Sequence, residues 1–397
     1  MKKVIIIGAG LGGLSAAIYL ARSGFNVEVY EKNSVVGGKA GLIEKDGFRF
    51  DTGPSLLTLP KVFEELFEFA GEKIEDYLKI RKLESTCRYF YEDGTIVNAY
   101  SDIEKFAEEI ENKTNDSAET LNSFLNYSKR IYDNASQEFL YNSFEFNLSK
   151  IKSIPKVMKI DSMRSMHSAI SSFFKDEKNI QLFDRYATYN GSSPYIAPAT
   201  LNIIAWVEHG IGGYYVENGI YEIPKALQEL AIKLGVKFYF DSAVDEIICE
   251  NNSIFGIKVS GEVVQAKIVL SNADVNFTYS KLLKDTNSAE SKQYQTFEKS
   301  SSALVYNWGI NGLNNNLDVH NILFSSNYKM EFHQLFDDKS LPDEPTIYIN
   351  ISSKYSPKDA PKDCENWFVL INAPAVKKSN WGQLAYDYKK VVCSFIG

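Results

Sequence analysis

The periodicity of apolar positions changes three times in the first thirty residues. Val4, Ile5, Ile6 and Ile7 form a continuous β-branched run, which predicts a short strand buried on both faces. Leu14, Ala17, Ile18 and Ala21 then recur at helical spacing, and Gly24 predicts the end of that helix. Val27, Glu28, Val29, Tyr30 and Glu31 predict a second strand. Strand, helix and strand in this order open a parallel α/β sheet.

Further along, Lys45, Asp46, Gly47 and Phe48 predict a hairpin turn between residues 41–44 and 48–50. A second hairpin is predicted from Tyr89 to Thr95, with its return strand at 96–99. Residues 102–185 read mostly helical, with Ile103, Phe106, Ala107 and Ile110 on one face of an acidic segment. An amphipathic helix is expected at 223–234, ending near Gly235. Strands are expected at 236–240, 244–248, 268–270, 303–308, 346–351 and 367–372, and a helix at 384–392.

The turn after the first strand carries the first chemistry. Gly8, Gly10 and Gly13 fill G-x-G-x-x-G, with Leu11 and Gly12 between them. Gly8 suits a tight turn, Gly10 admits a pyrophosphate to the backbone, and Gly13 lets helix and strand pack closely. The helix start offers free N–H groups and a positive dipole end to phosphates. Glu31 ends the second strand about 20 residues further on, where a carboxylate can accept the hydroxyls of an adenosine ribose. A carboxylate there repels a 2′-phosphate and so argues against NADP. The glycines alone are weak evidence; between two strands, with the acid in place, they predict dinucleotide binding.

Composition narrows the classes. The chain has 397 residues, 44% hydrophobic and 24% charged, which fits a globular protein of two or three domains. A net charge of −8 without a basic domain argues against nucleic acid as partner. Cys87, Cys249, Cys364 and Cys393 are scattered, against a disulfide scaffold or zinc finger and in favour of a reducing cytoplasm. Four histidines in no ligand spacing give a metal site little support. No apolar stretch approaches the roughly 20 residues of a spanning helix, and the one after Lys2 and Lys3 is broken by Gly8, Gly10, Gly12 and Gly13, unlike a signal peptide. Aromatics at 13% suit either a large core or a large apolar binding surface.

Gly37, Gly38 and Lys39, following Glu31 and Lys32 closely, resemble the extended signature of the FAD-dependent amine oxidase and phytoene desaturase superfamily. Phe50, Asp51, Thr52, Gly53, Pro54 and Ser55 resemble the segment that runs under the flavin in bacterial-type carotenoid desaturases. The chain is thus similar to the bacterial-type phytoene desaturase family, nearest its hydroxycarotenoid 3,4-desaturase branch. The residues 359–361 and 365–367 have the look of that branch. Asp184 to Tyr195 is similar to a family stretch, in which Arg185 serves either as a tunnel cation or, more in keeping with its type, as half of a structural ion pair. Residues 212–221 look like the family's return to the cofactor domain, with Val216, Asn218 and Ile220 replacing its usual proline, glycine and methionine. Asn tolerates positive φ, so the turn at Asn218 is expected to survive.

The resemblance implies an α/β fold: a discontinuous Rossmann-like FAD-binding domain (1–80 and 205–295) interleaved with a sheet-plus-helix substrate domain (81–204 and 296–397) that has a helical cap at 102–200. Gly8, Gly10, Leu11, Gly12, Gly13, Glu31, Lys32, Gly37, Gly38, Lys39, Gly53, Pro54 and Ser55 are expected to bind FAD. Val244 is expected to meet adenine through its backbone. The resemblance further implies desaturation of C–C bonds in a long apolar polyene, a carotenoid, with quinone or oxygen as electron acceptor. No residue is singled out as catalytic, since the cofactor does the chemistry. For residues 136–175, apolar with interspersed lysines, an ordinary helical cap competes with an interfacial helix; the resemblance favours cytoplasmic location with peripheral membrane contact. The resemblance also implies a final FAD-binding segment, which is expected beyond residue 397 and so missing from this sequence. Alternatives are a multi-step phytoene desaturase, a carotenoid isomerase, a flavin oxidase of amines or porphyrinogens, and an inactive truncated remnant.

Overall fold

The computed structural model describes residues 2–139, 160–251, 253–285, 287–375 and 380–396. The chain forms two compact units. One comprises Met1–Lys45, Arg49–Arg81 and Tyr215–Glu298; the other comprises Asp46–Phe48, Lys82–Tyr214 and Lys299–Gly397.

The first unit is built on a four-stranded parallel sheet. Its order is Val269–Ser271, Lys3–Ile7, Asn26–Tyr30 and Lys237–Tyr239. Val4, Ile5 and Ile6 are fully buried, as an uninterrupted apolar strand covered on both faces must be. The helix Leu11–Arg22 buries Gly13, Leu14, Ala17 and Ile18. Gly24 follows its end at φ +86°, a conformation that costs glycine little. The helix Glu222–Lys233 buries Ile223, Ala226, Leu227, Leu230 and Ala231. An antiparallel meander of Val244–Glu250, Ser253–Val259 and Glu262–Gln265 packs Ile247 and Ile257 with Ile5, Ile7 and Tyr30. The hairpin joining Leu42–Lys45 to Phe48–Asp51 turns on Asp46 (φ +51°) and Gly47 (φ +81°), the two positive φ angles of a type I′ turn.

The second unit holds a six-stranded mixed sheet. Its order is Ser302–Asn311, Cys364–Ala373, Ile347–Asn350, His320–Leu323, Ser85–Phe90 and Ile96–Tyr100. Only the pairing of His320–Leu323 with Ser85–Phe90 is parallel. Helices including Ile103–Lys113, Ala118–Phe139 and Glu177–Asp184 enclose an aromatic core of Tyr89, Phe106, Phe124, Phe174, Phe183 and Tyr186. The ring centroids of Phe124 and Phe183 are 4.6 Å apart. Much of the aromatic content is therefore spent on this core. The helix Trp381–Ile396 buries Tyr388 and Val392 against the sheet residues Ile347, Ile349, Val369 and Ile371.

Three features depart from the sequence expectations. The chain returns to the first unit at Tyr215, not at 205, because Ala205 and Trp206 join the aromatic core of the second unit. The strand His320–Leu323 was not anticipated, since a four-residue run opening with His and Asn has no period to read. Nor was the helical stretch beginning with Tyr328–His333, itself only six residues long. Half of the span 136–175, for which a helical cap and an interfacial helix compete, falls on residues 140–159, outside the described residues. At the end of that span Met166, Ala169, Ile170 and Phe174 are buried in the core. Among the described residues no helix is long and apolar enough to cross a membrane.

Candidate functional site

The glycine turn leaves the carboxyl end of the strand Lys3–Ile7 in the first unit. Gly8 has φ +96°, and its N–H donates to the Tyr30 carbonyl at 2.8 Å. A Cβ on Gly13 would lie 2.1 Å from the Gly8 carbonyl oxygen, so no other residue fits there. Helix and turn touch backbone to backbone as a result. Gly10 precedes the helix without a side-chain cap, and the first helical turn has no acid. The first N–H groups of a helix have no intrahelical acceptor, so this end attracts an anion.

Gly37 and Gly38 fold onto the same turn. The Gly37 N–H donates to the Ala9 carbonyl at 2.9 Å, and Gly10 and Gly37 form a parallel bridge. A Cβ on Gly38 would stand 3.2 Å from the Gly10 Cα. Gly53 packs in turn on this pair's continuation: its Cβ would be 2.4 Å from the Lys39 carbonyl oxygen. Three glycine-bearing segments, far apart in sequence, thus meet where a side chain would obstruct them. Lys32 and Lys39 are exposed, and neither makes an ion pair among the described residues. Pro54 is exposed and Ser55 half-buried.

Glu31 is 5% exposed. One carboxylate oxygen accepts the Ala9 N–H at 2.7 Å; the other accepts the Asn33 N–H at 2.9 Å and its Nδ2 at 2.8 Å. The carboxylate therefore faces the glycine turn, with three of about four acceptor positions in use. Backbone bonds carry the neighbourhood on to Val244: the Ser242 N–H donates to the Glu31 carbonyl at 2.8 Å, and the Asp241 N–H to the Asn33 carbonyl at 3.1 Å. Val244 opens the next strand and is half-buried.

Asp51 ties two of the expected segments together. Its carboxylate accepts the N–H groups of Ile220 and Tyr221 at 3.0 and 3.1 Å and pairs with Arg49 at 3.0 Å. It so occupies the start of the helix Glu222–Lys233. Asn218 adopts φ +72° and Gly219 φ +97°, so the turn persists with Asn in place of glycine.

The second unit has its own buried polar cluster. Arg185 and Glu208 form an ion pair at 2.8 Å, with side chains 7% and 1% exposed. Glu208 also accepts from the hydroxyls of Tyr186 (2.9 Å) and Tyr189 (2.8 Å). Arg185 donates to the Tyr89 hydroxyl and lies 4.3 Å from the Tyr186 ring centroid. Burial acts to raise the Glu208 pKa, but Arg185, His209 and the tyrosine hydroxyls outweigh it and hold the carboxyl below its ordinary range. Burial pushes the neighbouring His209 imidazole down to about 4, so it stays neutral. Arg185 is thus the half of an ion pair that its residue type suggested. Nearby, His167 Nδ1 meets the buried Asp184 at 2.7 Å, a bond that raises the His167 pKa.

Sequence reasoning missed Asn33, the backbone donor at Ala9, and Glu208. No pattern marks Asn33 or Ala9. Glu208 lies in a π-helical turn, Trp206–Ile211, whose wider spacing no α-helical period reveals.

Residues 11–298 match the family described as flavin containing amine oxidoreductase. The whole chain is 43% identical to the 1-hydroxycarotenoid 3,4-desaturase of Flavobacterium sp. (strain P99-3), covering 81% of that protein. Over 94% of the chain it is 37% identical to a 4,4'-diapolycopene oxygenase of Methylomonas sp., covering 76% of it. A solved oxidoreductase from Methanosarcina mazei superposes with a TM-score of 0.63 at 20% identity, over 98% of this chain and 82% of that one. A putrescine oxidase bound to putrescine superposes with a TM-score of 0.60 at 14% identity, over 94% and 76%; these likenesses concern the fold alone. The chain belongs to the flavin-containing amine oxidoreductase family and, within it, to the carotenoid desaturases and oxygenases.

Proposed function

We propose that the protein is an FAD-dependent carotenoid desaturase that acts on CH–CH groups, with a 1-hydroxycarotenoid as its substrate class. The 43% identity to a 1-hydroxycarotenoid 3,4-desaturase over the full chain carries the choice of substrate. The convergence of Gly8, Gly10, Gly13, Gly37, Gly38 and Gly53 supports the cofactor.

The residues fit the group. The N–H groups at Leu11, Gly12 and Gly13 would hold its diphosphate, helped by Lys39. Glu31 has acceptor capacity left for one ribose hydroxyl, and the backbone of Val244, two residues beyond Ser242, would meet adenine. Gly53, Pro54 and Ser55 would present a small-residue surface to the flavin. When bound, FAD supplies the acceptor for a hydride drawn from carbon. The protein's part is to orient an elongated hydrocarbon and keep water from it; the proton departs to solvent or a weak base, and quinone or oxygen takes the electrons. A lipid-resident substrate suits peripheral contact with a membrane.

The test is conversion of a 1-hydroxycarotenoid by the full-length flavoprotein. A red-shifted absorption band and a product lighter by two hydrogens are expected. A product carrying a new terminal oxygen would instead place the protein with the diapocarotenoid oxygenases, and no conversion would overturn the substrate class. Sedimentation with anionic lipid vesicles tests the membrane contact.

A further inference from the structure

Asn272 is the first residue beyond the strand Val269–Ser271. Its N–H donates to the Ile7 carbonyl at 2.9 Å, which fixes its backbone beside Gly8. The side chain then extends across the glycine turn. A Cβ built on Gly10 would lie 3.0 Å from Asn272 Nδ2, and one on Gly13 would lie 3.2 Å from it. A Cβ on Gly12 would lie only 2.6 Å from Oδ1.

Gly12 is the telling position. It is not one of the three glycines that the G-x-G-x-x-G geometry requires, and its φ is not in the left-handed region. The Asn272 carboxamide is the neighbour that a side chain at 12 would strike. Asn272 is exposed, and no side-chain hydrogen bond holds its carboxamide within the protein among the described residues. Its N–H donors are therefore available, beside a helix end whose own N–H groups lack acceptors and whose first turn has no acid.

We propose that Asn272 is a ligand of the cofactor's diphosphate, with Nδ2 donating to a phosphate oxygen, and that Gly12 is glycine to give it room. The proposal rests on the assignment of FAD to this turn. A hydrogen bond to a charged oxygen at this site corresponds to roughly a tenfold to hundredfold gain in affinity.

The experiment is titration of FAD-depleted full-length protein with FAD, followed by flavin fluorescence. Asn272→Ala should weaken binding by roughly tenfold or more. Asn272→Asp keeps the shape but sets a negative charge beside the diphosphate; it should weaken binding further, and added salt should narrow the gap between the two variants. Gly12→Ala should cost affinity in wild type but little more in the Asn272→Ala background, since both changes remove the same contact. Flavin bound by wild type with unchanged affinity in both Asn272 variants would overturn the proposal and leave FAD at this turn. Tighter binding by Asn272→Ala would overturn it too, making the carboxamide an obstruction. A wild-type protein that binds no flavin would sink the cofactor assignment, and this inference with it.

Discussion

Glu31 accepts the Ala9 N–H at 2.7 Å, which joins the end of the second strand to the middle of the glycine turn. The same carboxylate holds both donors of Asn33. Glu31 thus shapes the turn as well as offering itself to a ribose. Glu31→Gln turns one acceptor into a donor that faces a donor. We expect a stability loss of about 1–3 kcal/mol in urea unfolding without FAD, together with weaker FAD binding. Full stability with weakened binding would leave Glu31 as a ribose ligand only; unchanged values of both would refute both roles.

Gly13→Ala tests the contact between helix and turn. The new methyl would meet the Gly8 carbonyl oxygen at 2.1 Å, and backbone cannot yield there as a flexible side chain can. Overpacking of this kind costs about 1–3 kcal/mol. Flavin retention on a desalting column should fall with it. Gly24→Ala is the control: its site is open, so only the cost of positive φ remains, and flavin retention should match wild type.

The first unit was far more legible in the sequence than the second. Between Val4 and Glu31 every signal agrees: an apolar run, a glycine turn, a helical period and a closing acid. Local chemistry dictates that geometry. The approach of Gly53 to Lys39 and Ala40 was legible only through family likeness, since nothing local brings residues 39 and 53 together. In the second unit the ion pair of Arg185 with Glu208 joins a short helix to a π-helical turn. Periodicity marks neither partner. His320–Leu323 pairs in parallel with a strand far earlier in the chain, and only tertiary packing selects it.

Arg185→Met should be among the more damaging substitutions in the second unit. It leaves the Glu208 carboxylate buried with only Tyr186 and Tyr189 as donors. Removing one partner of a buried ion pair costs about 3–5 kcal/mol. The double variant Arg185→Met with Glu208→Gln removes both charges and should recover part of that loss. Differential scanning calorimetry of the three proteins decides it; a double variant no better than Arg185→Met would show that packing around the guanidinium dominates.

Glu331 is buried and its pKa is pushed up to about 7, because burial outweighs its bonds from Thr346 and Asn372. The folded protein therefore holds a proton that the unfolded chain releases near pH 4.5. Glu331's contribution is present in full below pH 4.5 and is lost as pH rises through 7, up to about 3 kcal/mol. Glu331→Gln mimics the protonated form. It should be more stable than wild type at pH 8 and about equal at pH 5, as read from urea midpoints. A constant difference between the two pH values would mean that Glu331 does not titrate in this window.

His209 gives the opposite slope. It is 1% exposed, its Nε2 lies 2.7 Å from the Tyr186 hydroxyl, and burial lowers its pKa from 6.5 to about 4. Between those values the unfolded chain binds a proton that the folded protein refuses. Stability therefore falls as pH drops from 6.5 to 4, by about 3 kcal/mol for a shift of this size. His320 is buried as well, and its pKa is also lowered to about 4, so it adds to the same slope. His209→Asn lowers stability at every pH through lost packing, yet it should flatten the acid limb by roughly half. Combining it with His320→Asn should flatten it further. A limb as steep in the double variant as in wild type would assign the acid sensitivity to the carboxylates instead.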